Sequence, residues 1–424
     1  MASFTARRVL AAFLLICLLV TAATVRADTN WPGFRGPLGT GHSTGGSLPT
    51  EWDAKSVTWK VKLPGRGQSS PSIWGERIFL TSAAKTDAGA VERYVYCVDR
   101  RNGKTLWKDT ASSGPAESLH DLNMWATSTC ATDGEHVLAF FGDGGMHCYT
   151  LDGKKVWSRD LGKFPGAWGT AASPVILGDM VVQNCDAQGK AYLLAVEKKT
   201  GKDIWRTPRG DLPRGGWSTP ILIDTGKRKE LILNGEYGVQ SYNPANGEEY
   251  WFCKGFNGRG TPMPAVGHGL VFVVNGKPGD IYAVRPGGKG DVTKTRMAWH
   301  TRRGGGRDLP SPILVGDYVF TVNMGGISNC YDATSGKELW EERLEGRRFT
   351  ASPIAVGGLI YTQNEKGETF VIKPGKKYQL IARNSLGEAD DVFRASPAAS
   401  DGQLFLRSGN ALYCIGKRTP RAAE

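Results

Sequence analysis

The sequence predicts an all-β protein: an eight-bladed β-propeller of four-stranded blades, with the ring closed by the N-terminal strand. Three observations predict it. A unit with glycine and tryptophan at fixed separation recurs every 41 to 50 residues, the period of a propeller blade. A Ser/Thr/Ala-rich step into proline precedes each unit. One strand, carrying a tryptophan, stands alone ahead of the first complete unit.

The unit is set by Cys97-x-Asp99, Gly103 and Trp107, and it returns in Ala195-x-Glu197, Gly201 and Trp205, in Cys330-x-Asp332, Gly336 and Trp340, and in Ser241-x-Asn243, Gly247 and Trp251. In all four the glycine lies four residues before the tryptophan and the small residue ten before. Cys148, Gly153 and Trp157 repeat it with one residue deleted, and Ala283 to Trp299 carries an insertion in the turn. The aligned tryptophans Trp59, Trp107, Trp157, Trp205, Trp251, Trp299 and Trp340 are 48, 50, 48, 46, 48 and 41 residues apart. Their expected task is structural: from the outer strand each covers the small residue of the neighbouring strand and fills the wedge between blades.

The prolines Pro71, Pro174, Pro220, Pro264, Pro312, Pro353 and Pro397, with Cys130 in the equivalent place of the second unit, mark eight first strands. Each is expected to begin at its proline, where a missing amide donor is tolerated. Pro174 to Leu177, Met180 to Gln183, Ala191 to Val196 and Asp203 to Thr207 then read as the four strands of one unit, joined by Gly, Asn and Asp turns. The seventh unit puts Tyr378 near the tryptophan slot, and the eighth ends at Cys414-Ile415-Gly416 without a fourth strand. Ser56 to Leu63 is the strand left over. It must complete the last blade, and a ring closed in this way has no free sheet edge.

Composition excludes collagen and disordered polymer, with 56 glycines, 22 prolines and 13 tryptophans among 424 residues and a 40% hydrophobic content. At the start, Arg7-Arg8, the apolar run Val9 to Val20 and Val25-Arg26-Ala27 have the layout of a secretory signal cleaved after Ala27. The run falls short of the roughly 20 residues that span a bilayer. The expected organisation is a signal peptide at 1–27, an N-terminal arm at 28–55, the propeller at 56–418 and a tail at 419–424. It describes an exported, periplasmic or extracellular monomer with no membrane span. Losing Arg7, Arg8 and Arg26 takes the net charge from +12 to +9, which favours acidic partners such as lipid headgroups or anionic polysaccharides over nucleic acid.

Seven cysteines lie beyond the signal. Cys97, Cys148, Cys330 and Cys414 occupy the small-residue slot that Ala195, Ser241, Ala283 and Val371 fill elsewhere, so they read as small core hydrophobes. Packed sheets stand roughly 10 Å apart and a disulfide needs Cα atoms within about 7 Å, which disfavours bridging among these four. The pairing of Cys130, Cys185 and Cys253 stays open.

With these residues in view, the chain resembles the exported β-propellers built from pyrroloquinoline-quinone-type (PQQ-like) repeats, the group that includes the BamB-like outer-membrane assembly factors. The Ala-x-Asp, Gly and Trp units carry the resemblance over residues 56 to 418. Trp31-Pro32-Gly33-Phe34-Arg35-Gly36-Pro37 looks like an N-terminal signature of such propellers, as do His120 through Asn123, Phe141-Gly142 and Asp152-Gly153-Lys154. The same ring serves dehydrogenases, scaffolds and sensor domains, so the resemblance implies a fold and leaves the function to the site.

In such a ring, the connection from the outer strand of one blade to the inner strand of the next crosses one face and reaches the mouth of the central channel. These connections carry Arg66, Trp125, Trp168, Arg214 with Trp217, Arg259, Arg307, Arg347-Arg348 and Arg394. Guanidiniums and indoles at one mouth suit an anionic, planar or acidic ligand, since arginine grips carboxylates bidentately and aromatic rings offer stacking surface. Glu388, Asp390 and Asp391 form the most acidic cluster, with hard oxygen ligands of the kind calcium takes; a solvated loop is the expected reading. His120, near Asp121 and Asn123 in the longest connection, is a candidate base. The histidines show no metal-ligand spacing, and G-x-S-x-G and P-loop patterns are absent.

The function expected from these residues is that of an exported, non-enzymatic, BamB-like binding or scaffold protein. It holds another exported or envelope protein, or an acidic ligand, through its loop face and needs no cofactor. The first alternative is a PQQ-dependent alcohol-type dehydrogenase using PQQ with calcium, against which stands the missing adjacent cysteine pair that the resemblance implies for such enzymes. The second is an extracellular polysaccharide-binding module.

Overall fold

A computed structural model describes residues 29–43, 45–212, 215–256, 259–276, 279–304, 306–346, 348–386 and 391–418. The expected signal at 1–27, the tail at 419–424, and Arg214, Arg347, Glu388 and Asp390 lie outside them. The chain folds into eight antiparallel sheets of four strands each, one of them with a short fifth strand added in parallel. Within the first seven blades the four strands pair in chain order; blade 1, for example, is Ser72–Trp74, Arg77–Lys85, Ala90–Asp99 and Thr105–Pro115. First strands of successive blades touch, so they stand around the axis and the fourth strands form the rim. The last blade takes Ala398–Ser400, Gln403–Arg407 and Ala411–Ile415 from the C-terminal end and Val57–Lys62 from the N-terminal end, with Trp59 opposite Cys414. This is the closure expected from the sequence.

One detail differs. The first strands start one residue after the proline, at Ser72, Val175, Ile221, Ala265, Ile313, Ile354 and Ala398. The proline has no N–H to place in the ladder, so pairing begins with its successor. The residue before the proline has a different role, because it links blades around the axis. The amide of Ser70 donates to Thr129 Oγ1, that of Thr129 to Ser173 Oγ and that of Ser173 to Thr219 Oγ1, each at 2.9 to 3.0 Å. The belt resumes with Met263 to Ser311, Ser311 to Ser352 and Ser352 to Ser396 at the same distances. Met263 has no hydroxyl and interrupts it; there Ser218 Oγ donates instead to the Pro262 carbonyl at 3.2 Å. The Ser/Thr-rich steps in the sequence are thus a ring of side-chain acceptors for buried amides. Thr129→Val keeps the shape and removes one acceptor, and should cost about 1–3 kcal/mol through the stranded Ser70 amide. Urea unfolding reads this directly, and an unchanged midpoint would show that the belt carries no load.

The blade tryptophans sit directly across from the small residue: Cys97 faces Trp107, Cys148 faces Trp157, Ala195 faces Trp205, Ser241 faces Trp251, Ala283 faces Trp299 and Cys330 faces Trp340. Their main contact, however, is with the next blade. The rings of Trp59, Trp107, Trp157, Trp205 and Trp299 lie over Gly103, Gly153, Gly201, Gly247 and Gly336, where an added Cβ would come within 2.4 to 2.8 Å of the indole. These glycines also have φ of 71 to 87°, so both the close approach and the backbone exclude a side chain. Each indole N–H then donates to a carbonyl of the same turn, as Trp59 does to Arg100 at 2.9 Å and Trp107 to Leu151 at 2.8 Å. Gly and Trp of one unit therefore belong to two different inter-blade contacts.

Blade 7 has no tryptophan at this slot; Ala382 faces Val371 there, and Tyr378 packs on Trp340 at 5.2 Å. The reason is topological. Blade 8 has no turn between its third and fourth strands, because that is where the two ends of the chain meet. The arm covers the gap: the Trp52 amide donates to Asn384 Oδ1 at 2.7 Å, Asn384 Nδ2 donates to the Thr50 carbonyl at 2.9 Å, and the buried Trp52 ring stacks with Tyr361. Upstream, the arm runs along the inner strands, with Trp31 bridging to Ile73, Pro32 to Thr132 and Ser43 to Ala355. Arg35 is buried there and donates to the Thr40 and Pro312 carbonyls at 2.8 and 2.9 Å. Burial lowers its guanidinium to about 9. The Trp31 to Pro37 stretch is thus an internal latch. Among the described residues no helix is long and apolar enough to cross a membrane.

Candidate functional site

Strands alternate in direction within each blade, so every connection from a fourth strand to the next first strand emerges on one face. Residues 116–130 and the next connection, 160–174, are the longest of these. The connection lies against its neighbour: the His120 amide donates to the Ala167 carbonyl at 2.6 Å, and Asn123 Nδ2 donates to the carbonyls of Trp168 and Thr170 at 2.6 and 3.1 Å. Gly169, with φ of 63°, lets the two loops touch, since a Cβ there would meet Leu119 at 2.5 Å.

Trp168 is the centre of the cluster. The His120 imidazole stacks on it with centroids 4.0 Å apart and planes 24° apart. The guanidiniums of Arg259 and Arg307 lie over the same indole at 4.5 and 4.9 Å, within cation–π range. Trp217 braces the loop from behind, donating its indole N–H to the Gly169 carbonyl at 2.8 Å. Trp125 is turned inward, where it packs on the core cluster around Phe79 and donates to the Glu117 carbonyl at 3.1 Å. Of the three mouth tryptophans, Trp168 alone makes ring contacts with the arginines among the described residues. Trp125 and Trp217 hold loops in place.

The arginines meet acids that the spacing of the sequence does not bring together. Arg348 reaches Asp121 at 3.5 Å and Glu365 at 3.8 Å. Arg394 donates from Nε to Glu365 at 2.9 Å and from a terminal nitrogen to the Asp121 carbonyl. Arg66 pairs with Asp391 at 3.1 Å. Arg348 adopts φ of 64°, an uncommon conformation for a residue with a side chain, held at this face. Burial lowers the Arg307 guanidinium, and the Asp121 charge works in the opposite direction. Of the five described arginines, Arg66, Arg348 and Arg394 thus pair with three carboxylates, and Arg259 and Arg307 lie over Trp168.

Among the described residues the donor set does not fit a quinone site with calcium; Glu388 and Asp390 lie outside them. A calcium ion needs several free oxygens pointing at one place. Glu365 is taken by Arg394, Asp121 by Arg348, and Asp391 accepts the amides of Val392 and Asn410 at 2.9 and 3.1 Å besides Arg66. Burial pushes the Asp391 carboxyl up, but hydrogen bonds from Ser408 and these amides, with Arg66 nearby, outweigh it and lower the pKa. The seven described cysteines are buried and unbridged, Cys130, Cys185 and Cys253 among them, and burial pushes their thiols well above the ordinary range. The one group of metal-type ligands found among the described residues, Asp133, Glu135 and His136, belongs to the first turn of blade 2 on the other face, and the Lys198 ammonium already holds Asp133 at 2.5 Å. No reaction step is therefore assigned.

The sequence places the arginines and Trp168 on these connections, but Glu365 lies in a turn between second and third strands and Asp121 stands out only as a neighbour of His120. The signal for Asp121 was loop length, since at up to about 3.3–3.6 Å per residue this connection is long enough to cross the mouth.

Comparison with known proteins bears on family and fold. The family described as "Outer membrane protein assembly factor BamB" matches residues 42–161, 91–252 and 277–373. A polyvinylalcohol dehydrogenase of a Pseudomonas species is 23% identical over 167 residues, which is 36% of this chain and 24% of that protein. The chain therefore spans about a quarter of that relative's length. Among solved structures, a europium-containing methanol dehydrogenase superposes with a TM-score of 0.68 at 11% identity, covering 92% of this chain and 98% of that one. BamB from Moraxella catarrhalis superposes with a TM-score of 0.60 at 14% identity, covering 87% and 99%. At such identities the likeness is one of fold.

Proposed function

The chain belongs to the BamB-type family of PQQ-repeat β-propellers, and from that premise we propose that it is an exported, non-enzymatic binding protein that holds an envelope protein through the face carrying Trp168, Arg307 and Arg348. One observation carries this reading: five described arginines and the half-buried Trp168 indole gather on one face, and Asp121, Glu365 and Asp391 each face a guanidinium there. Such a face offers charge and stacking for recognition. Export rests on the N-terminal signal layout, and the family premise is in keeping with an envelope role.

The reading is tested by capture from envelope extract on immobilised protein, comparing wild type with Arg307→Ala/Arg348→Ala. A specific partner retained by wild type and lost by the variant is the expected result. In parallel, PQQ and Ca²⁺ are added to purified protein with an alcohol and a redox dye. Dye reduction with appearance of a quinone spectrum would overturn the reading in favour of a dehydrogenase, and retention on polysaccharide gels would favour a sugar-binding module.

A further inference from the structure

We propose that the mouth is a binding site for an acidic peptide segment of the partner, and that His120 and Asp121 of this chain occupy it in the partner's absence. The proposal rests on the binding reading above and deepens it by naming what is recognised and what must move.

The pair behaves as an occupant of the site. The His120 ring lies flat on Trp168, and the Asp121 carboxylate faces Arg348. Neither is needed to fill the core, since the Asp121 side chain is 63% exposed and that of His120 33%. Two further contacts read main chain: Ala167 accepts from the His120 amide at 2.6 Å, and Arg394 donates to the Asp121 carbonyl. A ring, a carboxylate and two peptide groups, presented in sequence, are features of a peptide. A small planar acid would satisfy the stacking and the charge but would leave Ala167 and Arg394 without their main-chain partners. With Asp121 withdrawn, Arg307 loses its nearby carboxylate and Arg348 keeps only Glu365 at 3.8 Å, which it shares with Arg394, so the incoming segment must carry the replacement carboxylate. Self-occupancy lowers the apparent affinity by the fraction of molecules whose mouth is open.

Calorimetric titration with an acetylated peptide carrying the residues Glu117 to Asn123 tests this in trans. The expected results are weak binding to wild type, binding about tenfold tighter to His120→Ala/Asp121→Asn, in which the occupant is weakened, and loss of binding when Arg307→Ala and Arg348→Ala are added. The same peptide with asparagine in place of its aspartate should bind more weakly to every form. Thermal melting checks that each variant is folded, and Asp121→Asn alone, at an exposed position, serves if the double variant is not. Equal affinity for wild type and the emptied mouth overturns self-occupancy, as does an emptied mouth that binds PQQ but no peptide. A partner captured equally well by wild type and by His120→Ala/Asp121→Asn would sink this proposal while leaving the binding reading intact. A mouth that captures nothing in any form sinks both.

Discussion

Deleting residues 29–64 should abolish the cooperative melting of this protein or lower its stability by several kcal/mol, more than any single substitution at the mouth. The segment supplies the whole outer strand of blade 8, paired from Val57–Ile415 to Lys62–Ala411. It also supplies Trp59, whose indole roofs Gly103 and donates to Arg100, and Leu63, whose amide reaches Asn410 at 2.7 Å. Trp31, Leu48, Trp52 and Leu63 are buried, and each such side chain contributes about 1.5–3 kcal/mol on folding. Against a total stability on the order of 5–15 kcal/mol, losing them together removes most of the margin. The deletion also bares the Ala411–Ile415 strand as an open edge, so aggregation on heating should accompany the loss. Trp59→Ala isolates the docking contact and should cost about 3 kcal/mol, at the low end for a tryptophan because the ring is only partly buried. Lys62→Ala, on the exposed side of the same strand, should stay within about 0.5 kcal/mol. A truncated chain that melts like wild type would refute closure as the source of stability.

The parts of this fold visible in the sequence are those whose physical cause is local. A turn needing φ near +75° selects glycine wherever it occurs, and a half-buried rim position selects a large ring, so Gly103 and Trp107 stand out without any knowledge of the third dimension. Their true partners are not local. Trp107 docks on Gly153 of the following blade, and Gly103 lies under Trp59 from the other end of the chain. Spacing alone cannot separate this from a contact within the unit, because both repeat with the same period. The Ser/Thr step before proline was likewise visible as composition, while its purpose as a belt of acceptors depends on the inner strands standing side by side. At the mouth, Arg307, Arg348 and Arg394 could be assigned to the right face by counting strands. That Asp121 meets them depends on how one long loop crosses to blades far ahead of it in sequence, whereas Glu365 comes from the turn between the second and third strands of blade 7, a kind of connection the count from fourth to first strands leaves out.

Glu230 is the single residue whose loss should be felt most strongly, and it marks where the repeat departs from its own rule. In blade 4 the ring of Trp251 has no turn glycine to roof, because the corresponding turn of blade 5 carries the insertion in which Gly290–Asp291 pair alongside Trp251 and Phe252. The indole N–H turns inward to Glu230 Oε2 at 2.7 Å. Ser241 Oγ donates to the same oxygen at 3.0 Å, and Arg228 Nε pairs with Oε1 at 2.7 Å. The carboxylate is fully buried, as are Trp251 and Ser241. Glu230→Ala strands two buried donors and a half-buried guanidinium, and should cost about 3–5 kcal/mol in urea unfolding, the range for breaking a buried ion pair from one side. Glu230→Gln keeps the shape and part of the accepting capacity, and about 1–3 kcal/mol is expected. The cause is separable from simple cavity formation. If the stranded indole N–H matters, Trp251→Phe removes the donor, and in the Glu230→Ala background it should be milder than in wild type by at least about 0.5 kcal/mol of coupling. Strict additivity of the two changes would show that the carboxylate only fills space, and that this blade is held by the insertion rather than by the polar cluster beneath it.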